Sequence, residues 1–162
     1  MTFKLPVSVL VVIHTADLRV LLLERADRPG HWQSVTGSLD ALDEPLAATA
    51  AREVEEETGI VAARDGKLAN WNHVIEYRIY PHWRRRYAPG VTTNTEHWFG
   101  LALTNDFPER NAVRVAPREH LQYAWLAHRE AAARCFSPSN ADAIRELPKR
   151  WAIQNALSTK HT

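Results

Sequence analysis

Cysteine and methionine each occur once in the 162 residues. A lone Cys135 cannot form an intrachain disulfide, so a disulfide-stapled scaffold is excluded and a buried or inert thiol in a reducing cytoplasm is expected. Low-complexity linkers and internal repeats are absent, which leaves residues 1–162 to be read as one domain large enough to bury a substantial core. Long apolar runs are missing too. Val7 to Ile13 runs into Asp17 and Arg19 without a cleavage site, and no stretch approaches the roughly 20 apolar residues that cross a bilayer. A soluble chain with no membrane partner follows. Charge of one sign is not in excess, since the formal net charge is +1, and no nucleic-acid partner is indicated by bulk electrostatics. Locally the charge segregates, with acids at Glu53 to Glu57 and bases at Trp83-Arg84-Arg85-Arg86.

The acidic segment is the informative one. Residues Gly37 to Ile60, GSLDALDEPLAATAAREVEEETGI, put Glu53, Glu56 and Glu57 at i, i+3 and i+4 of a helix, so the three carboxylates share a face. Their mutual repulsion disfavours the bare helix, and a cation relieves it. Hard oxygen ligands select Mg²⁺ or Mn²⁺, and Mg²⁺ characteristically joins a few carboxylates to substrate phosphates. A solvated acidic face laced by Arg52 to Glu55 and Glu56 is the alternative. Pro45 suits the first helical position, the alanines at 47, 48, 50 and 51 favour helix, and Gly59 suits the left-handed position past its end.

The same segment resembles the box of the Nudix hydrolases. Arg52-Glu53-Val54-Glu55-Glu56-Glu57-Thr58-Gly59-Ile60 fits its second half throughout. The first half departs by one residue: Glu44 keeps its distance to Arg52 but lies one residue too far from Gly37, with Asp43 in the displaced position. The resemblance implies an α/β (α+β) fold, a Nudix-type α/β/α sandwich with a mixed β-sheet. It also implies metal binding by Glu53, Glu56 and Glu57, a further ligand from the Gly37 carbonyl, and orientation of the glutamates by Arg52 and Glu44. Outside the box, Glu119 in Arg118-Glu119-His120-Leu121 is the candidate loop carboxylate, as metal ligand or general base; an ordinary surface glutamate is its alternative.

Periodicity gives strands at 7–14 and 20–25 around a turn at 15–18, and at 32–36, 67–72, 73–81, 96–103 and 123–126. Helices are expected at 45–58, 128–135 and 140–147, the last capped by Asn140 and interrupted by Pro148. A mixed sheet between helices results.

Substrate choice rests outside the box. Trp32 to Ser38 and His82 to Trp98 most resemble the Nudix members that act on a pterin triphosphate in folate synthesis. That likeness implies release of pyrophosphate from 7,8-dihydroneopterin 3′-triphosphate. It places ligand contacts at Lys4, Arg25, Thr36, Ser137 and the run Tyr77-Arg78-Ile79-Tyr80. A pterin needs a flat apolar slot with a few polar groups, and a triphosphate needs cations and hydroxyls. For Lys4, Arg25 and Arg78 a solvated charge is the alternative, and for Tyr77 and Tyr80 it is core packing. Arg84 to Arg86 attract polyphosphate, pair at a subunit contact, or are solvated. Two other functions stay open: hydrolysis of nucleoside triphosphates or dinucleoside polyphosphates, and a sensor that binds a nucleotide without cleaving it. The chain is expected to work as a monomer or small homo-oligomer.

Overall fold

The computed structural model describes residues 2–159. The run VSVLVVIHT has apolar residues on both faces, as a strand covered from both sides requires, and it forms β1 (Val7–Thr15) at the centre of the sheet. β2 (Arg19–Arg25) returns antiparallel after a turn in which Leu18 adopts φ 66° and its N–H donates to the Thr15 carbonyl at 3.0 Å. β3 (Trp32–Gln33) pairs with β2, whereas β4 (Val35–Ser38) pairs with β1. The single strand expected at 32–36 is therefore two, because the chain changes partner between Gln33 and Val35.

The box helix is α1 (Leu46–Thr58). It starts one residue later than expected: Pro45 is its cap, at φ −60° and ψ 137°, since extended backbone there lets the ring precede the first turn. It stops at Gly59, whose φ of 76° is the left-handed conformation that glycine adopts without steric cost. A short α2 (Ala62–Asp65) leads into β5 (Gly66–Arg78), one strand where the sequence suggested two. The apparent break is an irregularity at Asn70–His73. Asn72 takes φ 53° there and its N–H donates to Asn70 Oδ1 at 2.8 Å, while pairing with the neighbouring strand resumes on either side.

A 3-10 turn (Pro81–Arg86) follows, then β6 (Thr93–Leu103), α3 (Phe107–Arg110), β7 (His120–Ala127), α4 (His128–Arg134), α5 (Pro138–Arg145) and α6 (Leu147–Thr159). Asn140 is not a cap. It sits buried in the first turn of α5, accepting from Ser34 N–H at 2.8 Å and donating to Ser34 Oγ at 2.9 Å, and Ser137 holds the cap position. Pro148 falls in the first turn of α6, where its missing N–H costs nothing, so the break comes at Glu146.

The described strands form one sheet of order β3-β2-β1-β6-β5, with β4 beside β1 and β7 beside β2. β1 and β6 are parallel and the other pairs antiparallel. Alternation along β1 sends Val9, Val11 and Ile13 toward Ala50 and Val54 of α1, and Leu10 and Val12 toward Ala131, Ala143 and Ile144 of α4 and α5. Each fully buried aliphatic side chain contributes roughly 1.5–3 kcal/mol of hydrophobic stabilisation. Two apolar layers thus fix α1 on one face of the sheet and α4–α5 on the other, an α/β/α arrangement. No helix among the described residues is long and apolar enough to cross a membrane.

Candidate active site

Because α1 buries Ala50 and Val54 in the core, its next face looks over the end of β4, and Glu53 and Glu57 ride on it. Gly37 of β4 faces Glu53 so closely that a Cβ at Gly37 would overlap Glu53 Cγ, Cδ and Oε1. Here the missing side chain is what admits the carboxylate. Arg52 braces the assembly from behind. It grips Glu44 with two nitrogens at 3.0 and 3.1 Å, reaches Glu53 Oε1 at 2.9 Å and Glu56 Oε2 at 3.4 Å, and donates to the Ser38 carbonyl at 3.2 Å. Glu44 also accepts from Thr49 Oγ1 at 2.7 Å and from Asp40 N–H at 3.0 Å. The Arg52 bonds, then those from Thr49 and Asp40, hold its pKa down to about 2. Glu44 thus holds Arg52 despite the extra residue in the loop, where Leu42 is exposed.

Glu53, Glu56, Glu57 and Glu119 all line one cavity of about 530 Å³, with Gly37, Thr36, Lys4 and Arg25. The three helix glutamates are not equivalent. Glu57 is buried, at 4% exposure, and Glu53 is largely enclosed, whereas the Glu56 side chain is 56% exposed on the rim beside Arg52. Burial first, with Glu56 and Glu119 adding repulsion against the pull of Arg52, raises the Glu53 pKa to about 7. Burial, then Glu53 and Glu119, pushes Glu57 well above the ordinary carboxylate range. Glu119 reaches the same place from the loop before β7, its carbonyl anchored by Ala26 N–H at 2.9 Å.

His120 joins this group, a residue that nothing in the sequence singles out. As the first residue of β7 it points inward, 3% exposed, with Nε2 3.6 Å from Glu57 Oε1. Burial first, then the nearby Arg25 cation, lowers its pKa to about 4, so at neutral pH it is an uncharged imidazole. One ligand atom from each of Glu57, Glu119 and His120 lies within 4.8 Å of the others. Glu57 Oε2 and His120 Nδ1 are buried with no hydrogen-bond partner among the described residues. Unpaired buried oxygens with raised pKa values are what a divalent cation would satisfy, so this donor set fits such an ion. The alternation of His120-Leu121-Gln122-Tyr123 would put the apolar pair inward and His120 outward, so the sequence carries no signal for it; Leu121 and Tyr123 are in fact exposed.

A second cavity, also about 530 Å³, opens from the first and shares Lys4, Arg25, Gln33, Thr36 and Arg86 with it. Tyr77, Arg78, Ile79, Tyr80 and Ser137 all line it. Ile79 is buried, Tyr80 is 39% exposed, and Tyr77 accepts a hydrogen bond at its hydroxyl from Asn94 Nδ2 at 3.1 Å. Tyr80, Trp83 and Phe136 make an aromatic wall with ring centroids 5.4 to 6.3 Å apart. The basic turn is thus partly absorbed into the site. Arg86 lines both cavities and lies 3.5 Å from Asp27, which also binds Arg25 at 2.7 and 2.8 Å and accepts from Trp83 Nε1 at 3.3 Å. Arg25 stacks over the Trp83 ring at 4.5 Å. These cations hold the Asp27 pKa at about 2, with Arg25 the main cause. Lys4 is tied to the turn through its N–H, which donates to the Arg86 carbonyl at 2.8 Å. Burial and then the Arg86 charge lower its pKa.

Comparison with known proteins agrees with this geometry. The NUDIX domain model matches residues 4–147. The dihydroneopterin triphosphate diphosphatase of Escherichia coli (strain K12) is 48% identical over 147 residues, covering 90% of this chain and 93% of that protein. Its Haemophilus influenzae namesake is 40% identical over 148 residues, covering 90% and 89%. The solved structure of the E. coli dihydroneopterin triphosphate pyrophosphohydrolase superposes with a TM-score of 0.80 at 46% identity, over 90% of this chain and 97% of that one. With the box helix, the sandwich and these relatives in agreement, the chain belongs to the NUDIX family.

Proposed function

We propose that this chain is a divalent-metal-dependent pyrophosphohydrolase that converts 7,8-dihydroneopterin 3′-triphosphate to the monophosphate and pyrophosphate, with Mg²⁺ as the working ion and Mn²⁺ able to replace it. The observation that carries this reading is the continuity of two cavities of opposite character, one acidic and one aromatic, through Lys4, Arg25 and Thr36. A polyphosphate joined to a flat heterocycle fits that shape, and the names of the relatives at 48% and 40% identity support the pterin. We place the work in the cytoplasm, in a monomer or small homo-oligomer.

Glu53, Glu57, Glu119 and the uncharged His120 would hold the ion, with Glu56 at the rim and the Gly37 carbonyl as a further donor. When bound, such an ion neutralises phosphoanhydride oxygens and acidifies the attacking water. Arg52 keeps Glu53 in a single position through its 2.9 Å bond. Lys4, Arg25 and Arg86 steady the phosphate chain between the cavities, and the Thr36 hydroxyl adds a donor. Glu119, with one oxygen toward the ion, would accept the proton of the attacking water on the other as the water oxygen bonds to phosphorus, the anhydride P–O bond breaks and pyrophosphate leaves. Tyr77 and the Tyr80–Trp83–Phe136 wall receive the pterin and exclude solvent around it, while Arg78, Ile79 and Ser137 close the edge of the slot.

A substrate panel in oxygen-18 water, read by product mass, tests the reading. Dihydroneopterin triphosphate should show the highest kcat/KM and yield pyrophosphate. Much higher specificity for dATP or a dinucleoside polyphosphate would overturn the substrate assignment. Ligand binding without turnover under Mg²⁺ or Mn²⁺ would overturn the enzymatic one.

A further inference from the structure

The second cavity contains an acid that the hydrolytic chemistry does not use. Glu96, in β6, lies opposite Ser8 of β1 and Ile75 of β5, on the sheet face that carries Trp98, and is only 4% exposed. It nevertheless lines the cavity, together with Ile75, Tyr77 and Phe136. Among the described residues its carboxylate receives one hydrogen bond, from Trp98 Nε1 to Oε1 at 3.1 Å. A carboxylate can accept about four. No cation among the described residues pairs with it, and burial raises its pKa to about 7. Burying a carboxylate this poorly satisfied is costly unless something else completes its hydrogen bonding.

The chemistry that would complete it is specific. Two N–H donors from a ligand favour the ionised form against the burial, and that form offers acceptors only, so its complement is a pair of adjacent N–H donors in one plane. A 2-amino-4-oxopyrimidine edge supplies that pair from its ring N–H and exocyclic amino group, and pterins and guanine both carry it. Adenine presents a donor beside an acceptor and leaves one carboxylate oxygen facing a lone pair. The aromatic wall provides the stacking surface for such a ring, and Lys4 and Arg25 at the cavity junction lead the phosphates toward the acidic chamber. We propose that Glu96 is the specificity-determining residue of this site, accepting the paired N–H donors of a 2-amino-4-oxopyrimidine edge. This deepens the substrate reading given above and rests on it for the choice of pterin over guanine.

Glu96→Gln is the test, because the amide keeps an acceptor for Trp98 and the volume of the acid while turning one acceptor into a donor. Steady-state kinetics of wild type and variant are compared on dihydroneopterin triphosphate, GTP and ATP, with circular dichroism to confirm folding. The variant should lose about 10- to 100-fold in kcat/KM on the first two substrates, the discrimination typical of one bidentate pair. The loss should fall on KM, and ATP should be unchanged or improved. An equal loss on all three substrates, or no loss on the first two, would overturn the assignment. If wild type fails on dihydroneopterin triphosphate yet prefers GTP to ATP, and Glu96→Gln abolishes that preference, the pterin reading falls and the role of Glu96 stands.

Discussion

Replacing Gly37 by alanine adds one methyl group, and the structure says where it goes. The backbone is not in the left-handed region at this position, so alanine is tolerated conformationally and the whole cost falls on contacts. The new Cβ would overlap Glu53 Cγ, Cδ and Oε1, and the Glu53 side chain must swing away from β4. Doing so strains its 2.9 Å bond to Arg52 and moves a carboxylate out of the cavity. Overpacking of this kind costs about 1–3 kcal/mol of stability, which leaves most domains folded. A displacement of about 1 Å at a reacting centre can cost on the order of 100-fold in rate, equivalent to about 2.7 kcal/mol of transition-state stabilisation. Pyrophosphate release under saturating Mg²⁺, with thermal denaturation run alongside, should therefore show kcat down about 100-fold in a protein that still unfolds cooperatively. Activity within twofold of wild type would refute the argument that Gly37 exists to admit Glu53.

Glu57→Gln should depress turnover far more than Glu56→Gln, although both are box glutamates, because Glu57 is enclosed while Glu56 stands 56% exposed beside Arg52. Glu57→Gln should exceed the roughly 10- to 100-fold loss typical of a supporting residue, and equal losses in initial-rate assays would contradict the ranking. Asp27→Asn should loosen Arg25, Trp83 and Arg86 together and raise KM several-fold with kcat nearly unchanged; a selective fall in kcat would place Asp27 elsewhere in the mechanism. Glu96 gives a pH prediction. Its pKa is raised from 4.5 to about 7 by burial, so the folded state binds its proton more tightly, and stability falls as pH rises from the unfolded value through the folded one. Glu96→Gln removes that slope, and urea unfolding should show the variant gaining about 2–3 kcal/mol on wild type between pH 5 and pH 8. Parallel pH profiles for the two proteins would show that Glu96 is not held protonated.

The box helix was legible because its chemistry and its helical period coincide. Spacing at i, i+3 and i+4 places the carboxylates, and a glycine at the end marks the stop. The apolar runs of β1 and β6 likewise announce strands covered on both faces. What could not be read were features set by distant partners. Asn70 and Asn72 look like a turn, yet β6 pairs on both sides of them and carries β5 through as one strand. Asn140 has the composition of a cap but is drawn inward by Ser34, far away in sequence. His120 and Glu96 differ little in sequence from surface residues, and only the register of β7 and β6 turns them inward. The ranking of Glu56 below Glu57 needs the sheet face against which α1 packs, a contact that helical spacing does not contain. Arg86 reads as a solvated cation until Asp27 and Lys4 fold back to meet it.

Calorimetric titration of Mn²⁺ into metal-free wild type and Glu57→Gln bears most directly on the claim that these acids are assembled for a divalent cation. Wild type should bind with a rise in thermal midpoint, and the variant should lose both the binding and the rise. Equal binding by the two proteins, or none by wild type, would contradict it.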